Sequence, residues 1–276
     1  MQSSTRGIVR PAQVGSAYRL NRLPCHPELA DYVDRYWTVR WDLAGPRREF
    51  SSVLTHPAVH VSVEEGDAAT RHGHPLPSAL VHGVVTRRFE IELAGRGRVF
   101  GVKFRPGGFT ALTGLPADRF TDGVADLADT VPDGGGLRER VLSESDDAGR
   151  AAIADTILRS LLPAVPDPRY ARLRAVVEDV AGDRTVVDVA ALARRHGMVD
   201  RTLQRMLRRY TGITASWLIR RYRLLDALDA LQAEPRRDVS ELAVTLGWYD
   251  QAHFTRDFTA AVGLPPARYA RVTRLS

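Results

Sequence analysis

Arginine, glutamine and threonine recur at helical spacing in two short stretches near the C-terminal end of the chain. The first stretch begins at Arg201 and the second at Gln251. Residues three and four apart share one face of a helix, so each stretch would present its polar side chains together. Arginine can donate two hydrogen bonds to guanine, and glutamine can pair with adenine, which is the chemistry that reads base edges in DNA. The side chains on these two faces are Arg201, Gln204, Arg205 and Arg208, then Gln251, Thr255 and Arg256.

The two stretches belong to an internal repeat. DVAALARRHG at 188–197 matches DVSELAVTLG at 238–247, and the similarity continues from 203–212 to 254–263. Each copy predicts a short capped helix, a turn at Gly197 or Gly247, and a second amphipathic helix that ends at glycine. This is the plan of a helix-turn-helix motif, in which small residues such as Ala193 and Ala243 let the two helices cross closely. Two ordinary helical hairpins with solvated arginine faces are the alternative interpretation.

The elements around the repeat are predicted to be helical downstream and mainly β upstream. Apolar residues line one side of 173–180, and a longer helix should begin after Thr214, its N-cap, and end before Pro235. Upstream, apolar and polar residues alternate at 37–41, 59–63, 89–93 and 100–104, which predicts a mainly antiparallel sheet or small barrel. A helix over 147–162 should close this part, and its stretch 153–161 is our candidate dimer interface.

Three prolines within 162–168 predict a short stiff linker. We therefore expect an N-terminal regulatory domain at 1–162, a linker at 163–168 and a DNA-binding domain at 169–276.

Positive charge is concentrated in the C-terminal part. Residues 169–276 hold 19 arginines and 12 acidic residues, whereas the remainder holds 20 basic and 21 acidic residues. Such an excess suits a nucleic-acid backbone. The chain of 276 residues is 44% hydrophobic and 26% charged, which is typical of soluble globular proteins. It has no apolar run of membrane-spanning length, no secretory signal and one cysteine, Cys25. We expect a cytoplasmic protein with no membrane contact.

Residues 169–271 resemble the DNA-binding domain of AraC/XylS-type regulators. RTLQRMLRRYTG at 201–212 and LAVTLGWYDQAHFTRDFTAAVGLPPARYAR at 242–271 carry the resemblance. It implies a long central helix between the motifs, with recognition helices entering successive major grooves of double-stranded DNA. The implied base-reading residues are Arg201, Gln204, Arg205, Gln251, Ala252, Thr255 and Arg256. Arg208 and Arg209 are candidates for phosphate contacts. Val199 departs from the family, which often has a serine cap there.

The expected fold class is thus α+β, with a mainly β sensor domain followed by an all-α domain of two helix-turn-helix motifs joined by a long helix. The N-terminal half resembles a less characterised regulatory domain found ahead of such regions, through LADYVDRYW at 29–37 and FGVKFRPGG at 100–108. Relatives imply effector sensing or dimerisation. RNA polymerase, a small-molecule effector and a second copy of the chain are therefore the further expected partners, and the effector is not identified.

Candidate effector-binding residues are Trp37, Trp41 and Arg105. A core position for the two tryptophans and a plain strand-to-helix turn at 105–108 are the favoured alternatives.

Other chemistry has weaker support in the sequence. The histidines at 56, 60, 72, 74 and 82 lack a carboxylate or cysteine pattern of a defined site, so no metal and no cofactor are predicted. Pro24-Cys25-His26 is reminiscent of alkyltransferase active sites, but a structural cysteine is favoured. No nucleophile–base constellation indicates an enzyme. The alternatives to a sensor are an enzyme domain or a ligand-free dimerisation domain fused to the DNA-binding module.

Overall fold

The computed structural model describes residues 7–9, 15–131 and 135–274. Its N-terminal half contains the strands β1 (Arg19–Leu23), β2 (Val33–Asp42), β3 (Arg48–Val53), β4 (His60–Gly66), β5 (Thr70–Arg71), β6 (His74–Pro75), β7 (Ser78–His82), β8 (Phe89–Ala94), β9 (Arg96–Phe104) and β10 (Val124–Asp126). Three α-helices accompany them: α1 (Gly108–Thr113), α2 (Gly135–Ser143) and α3 (Asp147–Ser160). The predicted mainly β N-terminal half, closed by a helix after residue 147, is confirmed.

The strands form an antiparallel six-stranded sheet in the order β1-β2-β9-β4-β7-β10, with β3 paired to β8 and β5 to β6. The alternation along β2 places successive side chains on opposite faces of this sheet. Tyr36 is buried in the main core with Phe100 and Phe104. Trp37 and Trp41 belong to a second, smaller apolar cluster that includes residues of β8. The β3–β8 pair therefore packs on the face of the sheet that lies away from the main core.

The C-terminal half is helical throughout, as predicted. Its helices are α4 (Pro168–Gly182), α5 (Val189–Arg195), α6 (Asp200–Thr211), α7 (Ala215–Ala233), α8 (Val239–Thr245), α9 (Gln251–Val262) and α10 (Pro266–Arg274). Thr214 caps α7 by accepting a hydrogen bond from the N–H of Trp217 at 3.3 Å. The helix ends before Pro235, because proline disfavours helical backbone in the residue ahead of it. The α+β fold class expected from the sequence is confirmed.

The two halves share one continuous core. The main cluster of buried side chains runs from Val9 to Ala270 and includes residues of both halves. At Gly107, which has a φ of +82°, a Cβ atom would lie 2.3 Å from a methyl carbon of Leu173 in α4. This approach requires glycine both for its backbone conformation and for its lack of a side chain. The domain limits given by the sequence stay a prediction, with α4 beginning at Pro168 after its N-cap Asp167.

The predicted dimer helix packs against its own chain. Ile153, Ile157 and Leu161 are partly buried against the main core, and Ala154 and Leu158 are buried. Much of the apolar stripe that suggested an interface is thus used within the protomer.

Candidate nucleic-acid interface

The two repeats fold into two helix-turn-helix units of the same geometry. In the first unit α5 leads into α6, and in the second α8 leads into α9. The N–H of Met198 donates to the carbonyl oxygen of Ala193 at 2.9 Å, and Trp248 donates to Ala243 at the same distance. Both alanines are fully buried where the helices cross. Gly197 and Gly247, with φ of +63° and +79°, supply the left-handed turns that the repeat predicts.

The helix starts differ between the units at one position. Asp188 and Asp238 cap α5 and α8, and Asp250 caps α9 by accepting the N–H of His253 at 2.6 Å. Val199 stands at the N-cap of α6 and makes no side-chain cap bond. The first recognition helix therefore begins with less stabilisation than the second.

The outer face of α6 carries arginine side chains that do not form ion pairs with the described residues. Arg201, Arg205 and Arg208 are exposed, and no described residue forms an ion pair with them. Gln204 is half-buried, and its side-chain oxygen accepts the N–H of Ala215 at 3.3 Å. Arg209 is exposed and lies 3.5 Å from the carbonyl oxygen of Gly114 in the N-terminal half. Gln204 thus helps to start α7, while the three unpaired arginines face solvent.

The outer face of α9 is less charged. Gln251, Ala252 and Arg256 are exposed, and Thr255 is half-buried. The side-chain oxygen of Gln251 accepts the hydroxyl of Ser240 at 2.7 Å, which leaves its amide donors facing outward. Within the described chain Arg256 has no acidic partner.

Sequence reasoning did not select Tyr249. This residue stands directly before the N-cap of α9 and is 93% exposed, so its ring is accessible to another molecule. The second repeat has one more residue than the first in the turn after its glycine, and this insertion could have drawn attention to Tyr249.

Both recognition helices end against the N-terminal half. Gly212 and Gly263 cap them in left-handed conformation and occupy equivalent places in the repeat. Thr121 donates to the carbonyl oxygen of Gly212 at 3.0 Å. A Cβ at Gly263 would lie 2.3 Å from a guanidinium nitrogen of Arg88. The N-terminal half therefore touches the same point of each unit.

Helix α7, which connects the two units, is held by a buried arginine. Arg221 is only 3% exposed. It donates to the carbonyl oxygens of Thr55 at 3.3 Å and Thr86 at 3.1 Å, with Val85 at 3.5 Å. Its guanidinium lies 4.3 Å from the ring centre of Trp217. Burial lowers the pKa of Arg221 to about 10, so the group stays charged at neutral pH. The sequence analysis did not predict this contact.

A cavity of about 230 Å³ lies between the six-stranded sheet and the β3–β8 pair. Trp37 and Trp41 line it together with Val39, Ile91 and Val99. Arg105 is not among its lining residues; its side chain donates to the carbonyl oxygen of Ala30 at 2.5 Å. Of the three candidate effector residues, the structure brings the two tryptophans together and leaves Arg105 apart.

Two cavity donors have no hydrogen-bond partner among the residues that the structure describes. They are the indole N–H of Trp37 and one terminal guanidinium nitrogen of Arg22. Buried donors are nearly always satisfied in folded proteins. These two are therefore suited to bind an acceptor from outside the chain.

Cys25 is half-buried, and its thiol lies 3.5 Å from the carbonyl oxygen of Val33. Burial raises the pKa of the Cys25 thiol. A raised pKa keeps the sulfur protonated and unreactive, which agrees with a structural cysteine.

Among the described residues, no helix has both the length and the hydropathy needed to cross a membrane. Comparison with known proteins gives two family matches. Residues 192–271 match a helix-turn-helix domain, and residues 21–126 match a domain of unknown function, DUF6597.

The curated relatives include the HTH-type transcriptional activator RhaR of Yersinia pseudotuberculosis serotype O:1b (strain IP 31758). It is 30% identical over 82 residues, which are 30% of this chain and 28% of the relative. The chain thus spans less than a third of the length of that relative.

Similar solved structures include ToxT from Vibrio cholerae O395, with a TM-score of 0.39, 11% identity, and coverage of 94% of this chain and 98% of ToxT. They also include the C-terminal domain of AraT from Geobacillus stearothermophilus, with a TM-score of 0.35, 21% identity, and coverage of 37% and 84%.

The paired units with their solvent-facing second helices define a protein with a double helix-turn-helix domain. The C-terminal part is an AraC-type helix-turn-helix domain, and a DUF6597 domain lies ahead of it in the chain.

Proposed function

We propose that the chain is an effector-responsive transcriptional regulator of the bacterial cytoplasm, which reads one operator with α6 and α9 in successive major grooves. The observation that carries this proposal is the set of exposed arginines on equivalent helices, Arg201, Arg205, Arg208 and Arg256, which have no acidic partner in the described chain. Unpaired guanidinium groups can bind phosphate and guanine without first breaking an ion pair. RNA polymerase and a second copy of the chain are its proposed protein partners.

The residues divide by task. Arg201, Arg205 and Arg256 are proposed to contact base edges, because they stand in the exposed N-terminal halves of the recognition helices. Arg208 and Arg209 follow towards the end of α6 and are proposed to contact phosphate, which sets the register of the protein on the duplex.

On α9, Gln251, Ala252 and Thr255 complete the proposed reading surface, with Ala252 limited to apolar contact such as a thymine methyl group. Gln204, whose side-chain oxygen is engaged by α7, keeps its amide donors for DNA.

We place the effector in the cavity of the N-terminal half. Its apolar lining suits a small apolar body, and the free donors of Trp37 and Arg22 suit an acceptor group such as a carboxylate. The cavity favours a sensor over a ligand-free dimerisation module. Thr55 and Val85 also line it, and their carbonyl oxygens hold Arg221 of α7. A ligand that shifts these two segments would therefore change how α7 is seated.

The test begins with the full chain and a pool of randomised duplexes, from which a preferred operator is selected. Arg205→Ala and Arg256→Ala should each weaken binding to that operator by about 1–3 kcal/mol, or roughly 5- to 150-fold, and relax the base preference at one position. Arg48→Ala is the matched control, since Arg48 is a 65% exposed arginine of the N-terminal half. Equal losses on selected and random duplexes would contradict base reading, and no selected sequence at all would overturn the proposed function.

A further inference from the structure

Three side chains that can bind metal ions converge beside the cavity. Glu64 lies on β4, His82 at the end of β7, and His72 in the turn between β5 and β6. One ligand atom from each lies within 4.8 Å of the other two. A carboxylate oxygen of Glu64 is 3.3 Å from Nε2 of His82 and 3.8 Å from Nε2 of His72. All three residues line the cavity.

The fold holds these groups in place from three directions. Antiparallel pairing of β4 with β7 puts His82 next to the strand that bears Glu64. Ser62 lies 2.6 Å from Glu64 and 2.7 Å from the His82 ring nitrogen. His72 has a φ of +52°, and its ring meets that of His82 edge-on at 4.9 Å. A left-handed backbone at a residue other than glycine carries strain, and such strain is concentrated at functional sites.

Hydrogen bonding within the chain accounts for only part of this cluster. The bonds of Ser62 and His82 reach one oxygen of Glu64, whereas the other oxygen is buried without a hydrogen-bond partner among the described residues. The side chain of Arg71 approaches this second oxygen to 3.8 Å, which is beyond hydrogen-bond length. Glu64 itself is 2% exposed. A buried carboxylate that lacks full pairing is costly unless a further ligand binds it.

We propose that Glu64, His72 and His82 bind a divalent transition-metal ion of the zinc type, with an open coordination position towards the cavity. Two imidazoles and one carboxylate are a common ligand set for zinc and for non-haem iron, and three protein ligands leave room for a fourth from outside. In a tetrahedral site the ligand atoms are about 3.4 Å apart. The Glu64–His82 pair already has this spacing. His72 must move inward, together with the short turn that it forms with Gly73.

Charge specifies the fourth ligand. Glu64 is the one carboxylate of the set, and the Arg71 guanidinium lies beside it over the Trp41 ring, at 4.4 Å from the ring centre. A divalent ion would leave this corner of the cavity with net positive charge. An anionic fourth ligand, such as hydroxide or the carboxylate of a small molecule, would reduce this positive charge.

The experiment uses the full chain without a polyhistidine tag, stripped with a chelator, dialysed and titrated with Zn²⁺ by calorimetry. Co²⁺ serves as the spectroscopic probe of a nitrogen and oxygen site. We expect one equivalent of Zn²⁺ to bind and to raise the melting temperature. His72→Ala should weaken binding by more than the roughly 10- to 100-fold that loss of an outer-shell partner costs. His74→Ala, a neighbouring histidine outside the cluster, should bind as the wild type does.

Three results would overturn the proposal: no Zn²⁺ bound by the wild type, several weak equivalents, or equal affinities for His72→Ala and His74→Ala. Glu64→Gln provides a second test, because it keeps the shape of the side chain and removes its charge. If that buried substitution impairs folding, His72→Ala still tests the proposal, because His72 lies in a short turn. The far-ultraviolet circular dichroism spectrum of the His72→Ala protein would show whether it is folded. DNA is absent from every arm, so the outcome does not depend on the proposed regulatory function.

Discussion

Replacing Arg221 by leucine should weaken the attachment of the N-terminal half to α7. The substitution removes hydrogen bonds to the backbone of Thr55, Val85 and Thr86. The carbonyl oxygen of Thr55 loses its donor, whereas Val85 keeps the Thr55 hydroxyl and Thr86 keeps the Trp217 indole N–H. It also removes the stacking on Trp217. The local loss is therefore larger than that of an ordinary surface substitution.

The magnitude follows from opposing contributions. Charge-assisted hydrogen bonds contribute about 1.5–3 kcal/mol each, but those of Arg221, at 3.1–3.5 Å, are long for this class, so we take about 1–1.5 kcal/mol for each of the three. A buried cation–aromatic contact adds about 2 kcal/mol. Burial of the charge opposes both by roughly 3 kcal/mol, since it lowers the pKa of Arg221 from 12.5 to about 10. With the carbonyl oxygen of Thr55 left without its donor, we expect a net loss of about 2–4 kcal/mol in the free energy of unfolding.

The assay combines urea denaturation with limited proteolysis at 162–168. Arg221→Leu should lower the denaturation midpoint and speed cleavage, while Arg221→Lys should lie between it and the wild type, because lysine keeps the charge and loses the planar donors. Arg220→Leu is the matched control. Arg220 is the preceding residue in α7, its side chain is 53% exposed, and it forms an ion pair with Asp257 at 3.6 Å. Identical midpoints and cleavage rates for the wild type and Arg221→Leu would refute the argument.

Three further predictions follow from other contacts. The free energy of unfolding of the wild type should rise between about pH 8 and pH 10.5 relative to that of Lys103→Met. Burial lowers the pKa of Lys103 to about 8 in the folded protein, so over this range the unfolded chain binds the proton more tightly than the folded one. Parallel pH profiles of the two proteins in urea denaturation would contradict this. Gly212→Ala should lower the free energy of unfolding more than Gly197→Ala does. Both glycines have positive φ, which costs alanine about 1 kcal/mol at either position, but only at Gly212 would a Cβ lie 2.2 Å from a threonine hydroxyl of the N-terminal half. Equal losses in calorimetry would show that this contact is loose. Val199→Ser should add about 0.5–1 kcal/mol by capping α6, whereas Val187→Ser, at an exposed position outside the caps, should change the melting temperature little; equal shifts would argue against capping.

The sequence was most informative where structure is decided locally. Asp238, Gly247 and Thr214 act as cap, turn and cap because each needs only its own neighbours in the chain, and the repeat supplied a second reading of the same pattern. Strand alternation likewise gave the two faces of β2. The alternation did not predict which face of β2 would pack in the main core and which would line a cavity. Tyr36 and Trp37, on opposite faces, are both large and aromatic, so either face could be the buried one.

Long-range contacts were out of reach for the same physical reason. Glu64 and His82 meet because β4 pairs with β7 in one register, and a shift of one residue would turn the side chains to the other face. Arg221 did carry a signal, since it follows Leu218 by three residues and precedes Leu225 by four, on the buried side of the helix. A charged residue at such a position predicts a partner, although not which carbonyls would provide it.

On the proposed function, Gly212 and Gly263, where the recognition helices end, would fix the length of the operator as well as its sequence. Because each end abuts the same N-terminal half, at Thr121 and at Arg88, the separation of the two reading helices depends on that half as much as on α7. Base pairs inserted between the two half-sites should then be poorly tolerated. A ligand that moved Thr121 relative to Arg88 would change the preferred spacer while leaving the preferred bases alone, so that promoters with the same half-sites could respond differently to one signal.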